Sequence, residues 1–280
     1  MVPPWVPGAP AGAPPASDDS GQEAVSLSAA AGDDGASPTP NQAKNIAPGQ
    51  HPPFIAPPRR FAGARRSLGN FAHSGDTAEM RRGVGHYIRS GYGGGSRAVG
   101  RFGGTASTAN AIYGALSNVA QGQPAAPGSP LDPALLAGRS ARDVMDAVVE
   151  AVRPANGTQD AEAERASTKD ALSELLAQFP DADLLNLSEA QRELATELFV
   201  AIDVFRRLQL DLGKTIQDKA PSAVAGLARL KELKDYVKET VAAAFRKLRA
   251  AERRLTRGTV NQVVRAALLD AFEVFEGYTT

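Results

Sequence analysis

From residue 76 onward the apolar side chains of this chain recur every three or four residues and never in strict alternation. That spacing marks amphipathic helices and leaves no half-buried strand to build a sheet. Ser140 with Asp143 opens one helix, whose Val144, Met145, Val148, Val149 and Val152 point inward, and Pro154 ends it. Thr158 or Asn156 starts the next, with Leu172, Leu175 and Leu176 inward and a stop at Phe179 and Pro180. Ser188 with Gln191 caps a longer helix that closes near Gly213. After Pro221 the pattern predicts a long helix to about Arg257, with Val224, Leu227, Leu230, Leu233, Val237, Val241, Phe245 and Leu248 in its core face. Thr259 with Gln262 begins the last, carrying Val263, Val264, Leu268, Phe272 and Phe275. The expected fold is all-α, an irregular bundle of about five helices.

Upstream the composition changes twice. Residues 1–58 are rich in Pro, Ala, Gly and Ser and poor in aliphatics. Such a stretch buries too little apolar area to offset the entropy of ordering, so it is expected to be a disordered tail, with Trp5, an indole among prolines, as its anchor on a partner. Residues 59–104 hold nine arginines, no lysine, two acids (Asp76 and Glu79), twelve glycines and five aromatics, a local charge of +7 in a chain whose total is zero. Guanidinium forms bidentate bonds to phosphate or carboxylate and stacks on flat rings, which lysine does not. The expectation is therefore an Arg/Gly-rich arm over 59–120 that reads an anionic or planar partner. Its contact residues are Arg59, Arg60, Phe61, Arg65, Arg66, Phe71, Arg81, Arg82, His86, Tyr87, Arg89, Arg97 and Arg101.

Two helices are expected in that arm. Asp76 with Glu79 reads as a capping box before Met80, Val84, Tyr87 and Ile88, with Gly83 and Gly85 weakening the helix. Glycines 91 to 95 break the chain, Ser96 caps again, and Val99, Phe102, Ala106, Ala109, Ile112, Tyr113 and Leu116 form a stripe of mostly small residues that suits close helix packing. A Pro/Gly linker at 121–133 then leads to a helical domain at 134–280.

The catalytic inventory is thin. There is no cysteine, and the three histidines, His51, His73 and His86, all lie in the N-terminal part. No metalloprotease, P-loop or nucleophile-elbow motif occurs. Asp181 and Asp183 read as caps or a solvated loop, while Glu162, Glu164, Glu232 and Asp235 read as solvated helix faces and His86 as a packed or solvent-bonded imidazole. The glycines before Arg97 suggest a phosphate-cradling loop, but no apolar strand precedes them, so they read as a hinge. With no long apolar run and no signal-peptide pattern, the chain is expected to be cytoplasmic, free of cofactor and metal, and not an enzyme. Charge also separates within the helical part: residues 160–197 hold ten acids and three bases, residues 229–257 ten bases and four acids. Either two neighbouring helices have complementary faces or a second basic surface exists. Arginines interleaved with aromatics also suit single-stranded nucleic acid, so a nucleic-acid sensor is the alternative to a protein adaptor.

Arg60-Phe-Ala-Gly-Ala-Arg-Arg66, Phe71-Ala with Ser74-Gly75, Gly85-His-Tyr-Ile-Arg89 and Gly93-Gly-Gly-Ser-Arg97-Ala together resemble the QatB family, the B component of the Qat anti-phage defence system. The resemblance runs over roughly residues 57–278, with a Pro-Ala-Asn-Gly stretch at 154–157 and a Val-Phe-Glu-Gly run near the C-terminus. It implies a four-protein bacterial operon whose other members are a P-loop ATPase, a QueC-like protein and a TatD-like nuclease. It also implies a non-enzymatic role in which the QueC-like member acts on this polypeptide. Family members begin with Met-Gly and a Gly/Ser/Thr-rich leader ahead of Pro-Pro-Trp, whereas this sequence opens Met1-Val-Pro-Pro-Trp5. The leader and its acceptor glycine are thus expected to be missing, and Gly8 and Gly12 do not replace them.

Overall fold

A computed structural model describes residues 59–123 and 125–279, and all secondary structure among them is helical. The expected tail, with Trp5, lies outside the described residues. At the centre is α8 (Glu189–Lys219), opened by a capping box in which the Ser188 hydroxyl accepts from the Gln191 backbone N–H and the Gln191 side chain accepts from the Ser188 N–H. Every residue from 195 to 205 is buried, on all sides of the helix. A helix buried all round must sit inside others. Four surround it: α1 (Ala62–Ser74), α4 (Gly103–Ala120), α7 (Gln159–Gln178) and α9 (Ala223–Ala250).

A second layer closes the bundle. α10 (Val260–Glu276) packs on α4, α9, α2 (Thr77–His86) and α3 (Gly95–Arg101), and α6 (Ala141–Val152) leans on α4 and α7. A single turn, α5 (Pro133–Leu136), lies in the connection before α6, and a π-helix (Tyr87–Tyr92) joins α2 to α3. Buried side chains from Phe61 to Phe275 form one continuous core.

Several boundaries differ from expectation for local reasons. α8 continues past Gly213 to Lys219, because Gly213 and Ile216 are both buried and the core face continues. α9 stops at Ala250 rather than Arg257, where Glu252 turns into the left-handed region at φ 59°. Val224 and Leu227 follow the apolar spacing but are 78% and 64% exposed, since of the first turns of α9 only Gly226 is buried, a Cβ there lying 3.4 Å from Ala220. Asp76 does cap α2 by accepting from the Ala78 N–H at 2.8 Å, but Glu79 pairs with Arg82 and leaves the box half made. Gly94, at φ 105°, takes the capping position before α3 in place of Ser96.

The Arg/Gly-rich segment is no separate arm. Its aromatic and aliphatic side chains Phe61, Leu68, Phe71, Tyr87, Ile88 and Phe102 belong to the core. Gly83 and Gly85 allow this packing. A Cβ on Gly83 would lie 2.6 Å from Leu68 of α1, and one on Gly85 would lie 2.7 Å from the Phe275 carbonyl of α10. The described residues cluster as one compact unit, so the stretch 121–133 connects two parts of one bundle.

Candidate interaction surface

The inner face of α1 buries Ala64, Ser67, Leu68, Phe71 and Ala72, spaced three and four apart, and its outer face exposes Arg65, Arg66, Asn70 and His73. The helix contains no acid. Gly69 brings it against the end of α8, where a Cβ would lie 3.5 Å from Lys219 Cγ. Lys219 therefore joins Arg65, Arg66, Asn70, His73 and Ser74 along a groove of about 560 Å³ with no carboxylate in its lining. Among the described residues, Arg65, Arg66 and Lys219 have no ion-pair partner.

The other arginines of 59–104 do not share this face. Arg59 is exposed, with φ 62°. Arg60 stacks 4.4 Å over the Phe61 ring and 5.6 Å from that of Tyr92. Arg81 lies over Tyr236 and Tyr278, Arg82 pairs with Glu79, and Arg89 donates to Thr279 Oγ1 at 3.2 Å. Arg97 borders a groove with Glu273 and Glu276, and Arg101 lines a cavity with Arg60, Tyr92 and Arg207. Phe61, Phe71 and Tyr87, expected to meet a partner, are buried in the core instead, because they fall on the inward stripes of α1 and the π-helix. His86 is half-buried and packs on Gly63.

The glycines expected to hinge, or to cradle phosphate, face carboxylates. A Cβ on Gly94 or Gly95 would lie 3.4 Å from the Glu276 carboxylate oxygens. An incoming phosphate would meet that negative charge first.

Tyr87 and Tyr92 are brought together by the π-helix. Five residues apart on an α-helix they would sit about 140° from each other. Here the Gly93 N–H reaches back to the Ile88 carbonyl, the i to i+5 closure of a π-turn, and the two phenols lie 3.2 Å apart. Both donate to Asp211 Oδ2, at 2.9 and 3.3 Å. Burial pushes both phenol pKa values up. Tyr92 and Asp211 border a cavity of about 260 Å³ that is also lined by Asp160, Arg101 and Arg207.

Behind that cavity runs a buried polar network that the sequence reading missed. Asp203, fully buried, accepts from Thr105 at 2.6 Å, from Ser167 at 3.1 Å and from Arg207 Nε at 3.1 Å. Glu164, expected on a solvated face, is 1% exposed; it accepts from Thr108 and Arg207 and is ion-paired with Arg153 at 2.9 Å. Burial raises its pKa, against the pull of Thr108 and the two arginines. Asp203 carries its own signal, a lone acid inside the apolar run Leu-Phe-Val-Ala-Ile-Asp-Val-Phe. Nothing local marks Glu164, since its partners come from α4, α8 and the end of α6. The remaining acids are ordinary: Asp183 caps the Leu185 N–H, Glu232 pairs with Arg229 and Asp235 with Lys231. The charge blocks meet in part, through Glu174 with Lys238 and Glu197 with Arg249.

Residues 93–275, close to two thirds of the chain, match the family model of the Qat anti-phage system associated protein QatB. The chain belongs to the QatB family. No curated protein and no solved structure matches it. The QatB match takes in α3 to α10 nearly whole, including the buried network and Lys219, while α1 and its arginines lie upstream of it. Membership ties the chain to an anti-phage system and to partners in that system generally. Among the described residues no helix is long and apolar enough to cross a membrane.

Proposed function

We propose that this QatB-family chain is a non-enzymatic adaptor of a cytoplasmic anti-phage defence complex, docking through the outer face of α1. Its partners on this reading are the P-loop ATPase, the QueC-like protein and the TatD-like nuclease of the same operon, and residues 1–58 are the substrate offered to the QueC-like protein. One observation carries the proposal: Arg65 and Arg66 stand with Lys219 along a groove without carboxylates and, among the described residues, without ion pairs. Exposed charges contribute little to folding. Planar guanidinium groups held on a rigid helix suit bidentate recognition of carboxylate on a protein.

Co-expression of the operon, purification through this chain and intact mass of the chain test the reading together. Replacing Arg59, Arg65 and Arg66 by Ala, with the stacked Arg60 left intact, should abolish partner capture and phage protection. Lysine at the same positions keeps the charge but loses the fork geometry, weakening docking by about 1–3 kcal/mol. Full capture by the lysine protein, together with salt-sensitive binding to nucleic acid, would move the assignment to a nucleic-acid sensor.

A further inference from the structure

The cavity beside Tyr92 is assembled from five separate stretches of chain. Arg60 precedes α1, Tyr92 ends the π-helix, Arg101 ends α3, Asp160 lies in the first turn of α7, and Arg207 and Asp211 stand one turn apart on α8. Several of these polar groups are held by neighbours. Arg207 is bonded through Nε to Asp203 and through one terminal nitrogen to Glu164, and its other terminal nitrogen lies 3.4 Å from Asp160. Asp211 accepts from both phenols on the same oxygen, Oδ2, and Arg60 is stacked against the rings of Phe61 and Tyr92. Among the described residues neither Arg60 nor Asp211 has an ion-pair partner. We infer that this cavity binds a small phosphorylated sugar, its phosphate on Arg60 and Arg101 and its hydroxyls donating to Asp160 and Asp211. The inference does not depend on the α1 docking surface.

The lining selects the ligand. Arg207 already has its nitrogens engaged, so an anion is met by Arg60, with Arg101 in the same lining. Guanidinium groups match phosphate oxygens in pairs. Two carboxylates in the same wall would repel a ligand that carried negative charge and nothing else, so the ligand must also present hydrogen-bond donors. Hydroxyl groups supply them, since an ionised carboxylate only accepts. An apolar ligand fails, because covering charged groups without bonding to them is costly. Size agrees: about 260 Å³ is the liquid volume of about nine waters, more than an inorganic ion fills. The π-turn gains a use on this reading. It sets both phenols on Asp211, so the carboxylate keeps its position and binding has little left to order.

The test is calorimetric titration of the full chain with four probes: ribose 5-phosphate, AMP, ribose and inorganic phosphate. Ribose 5-phosphate should bind once per chain, about tenfold or more tighter than ribose or inorganic phosphate. AMP binding as tightly or more tightly would place the sugar phosphate within a nucleotide, and weaker AMP binding would make it a free sugar phosphate. Asp211→Asn keeps the shape and can still accept from the phenols, yet should weaken ribose 5-phosphate about tenfold, as should Arg60→Gln. Leu210→Trp guards against a folding artefact. Leu210 is 50% exposed in the cavity lining, so the indole fills the cavity without entering the core, and binding should be lost. Arg65→Ala with Arg66→Ala should leave the affinity unchanged. The inference is overturned if no probe binds, if inorganic phosphate or ribose binds as tightly as ribose 5-phosphate, or if Asp211→Asn and Arg60→Gln bind as well as the natural chain. It is equally overturned if the Leu210→Trp protein, melting with the natural chain, keeps its affinity. Loss of binding in the α1 double variant would put the ligand in the α1 groove and also overturn it, while the adaptor reading is judged separately by partner capture.

Discussion

Arg66 on α1 and Arg207 on α8 have the same side chain and opposite surroundings. Arg207 is 11% exposed and bonds Asp203 and Glu164, with Asp160 at 3.4 Å. Arg66 stands in solvent with no carboxylate beside it. The guanidinium group is held by burial and paired charge in one place, and left exposed to solvent in the other. What separates a paired arginine from an exposed one in this bundle is where the carboxylates are, and arginine content alone carries no such information.

Arg207→Ala probes the contrast with the largest expected effect. It strips Asp203 and Glu164 of their shared cation while both remain buried, so unfolding free energy should fall by about 3–5 kcal/mol in a denaturant titration. A loss below about 1 kcal/mol would mean that the interior pairs are no more structural than the α1 arginines.

Gly85→Ala comes next and asks whether the Arg/Gly-rich segment is packed as firmly as the network. Its Cβ would meet the Phe275 carbonyl at 2.7 Å, backbone that cannot rotate away. A destabilisation of about 1–3 kcal/mol is expected. The control is Gly100→Ala in α3, which meets nothing within 4 Å and should be neutral or slightly stabilising.

The smallest effect is a pH slope. Burial raises the Glu164 pKa in the folded protein above its ordinary 4.5. A carboxyl raised on folding favours the folded state below the ordinary value, and that contribution is lost as pH climbs through the raised one. Stability should therefore decline as pH increases from about 4.5 towards neutral, and Glu164→Gln should flatten that part of the curve relative to the natural protein. Glu197, raised for the same reason, supplies the remaining slope. An unchanged profile in Glu164→Gln would mean that Arg153 and Arg207 fully offset its burial.

Helix starts were legible wherever one side chain decides them locally. Ser140 and Ser188 both close reciprocal capping boxes, and Thr158 accepts from the Ala161 N–H as read. The inward faces of α6, α9 beyond Leu230, and α10 followed from spacing alone. α1 was missed because its buried Ala64, Leu68 and Phe71 are separated by arginines and glycine, so composition hid a regular stripe. Val224 and Leu227 mislead in the opposite sense, since apolar spacing continues beyond the point where neighbours cover the helix. The exposed arginines of α1 were named, but so were core aromatics, because a ring beside a guanidinium reads alike whether it faces in or out. Glu164 depends on other helices, with Thr108 56 residues away in sequence, which no local pattern reports, and the lone-acid signal of Asp203 does not point to Thr105, 98 residues away.

The most direct measurement is thermal unfolding of the Arg65→Ala/Arg66→Ala protein, run beside the natural chain and Arg207→Ala. If the α1 arginines serve binding and not folding, the double variant should melt within about 2 °C of the natural protein. Arg207→Ala should melt on the order of 10 °C lower. A double variant that melts as low as Arg207→Ala would contradict this division and return the α1 arginines to the fold.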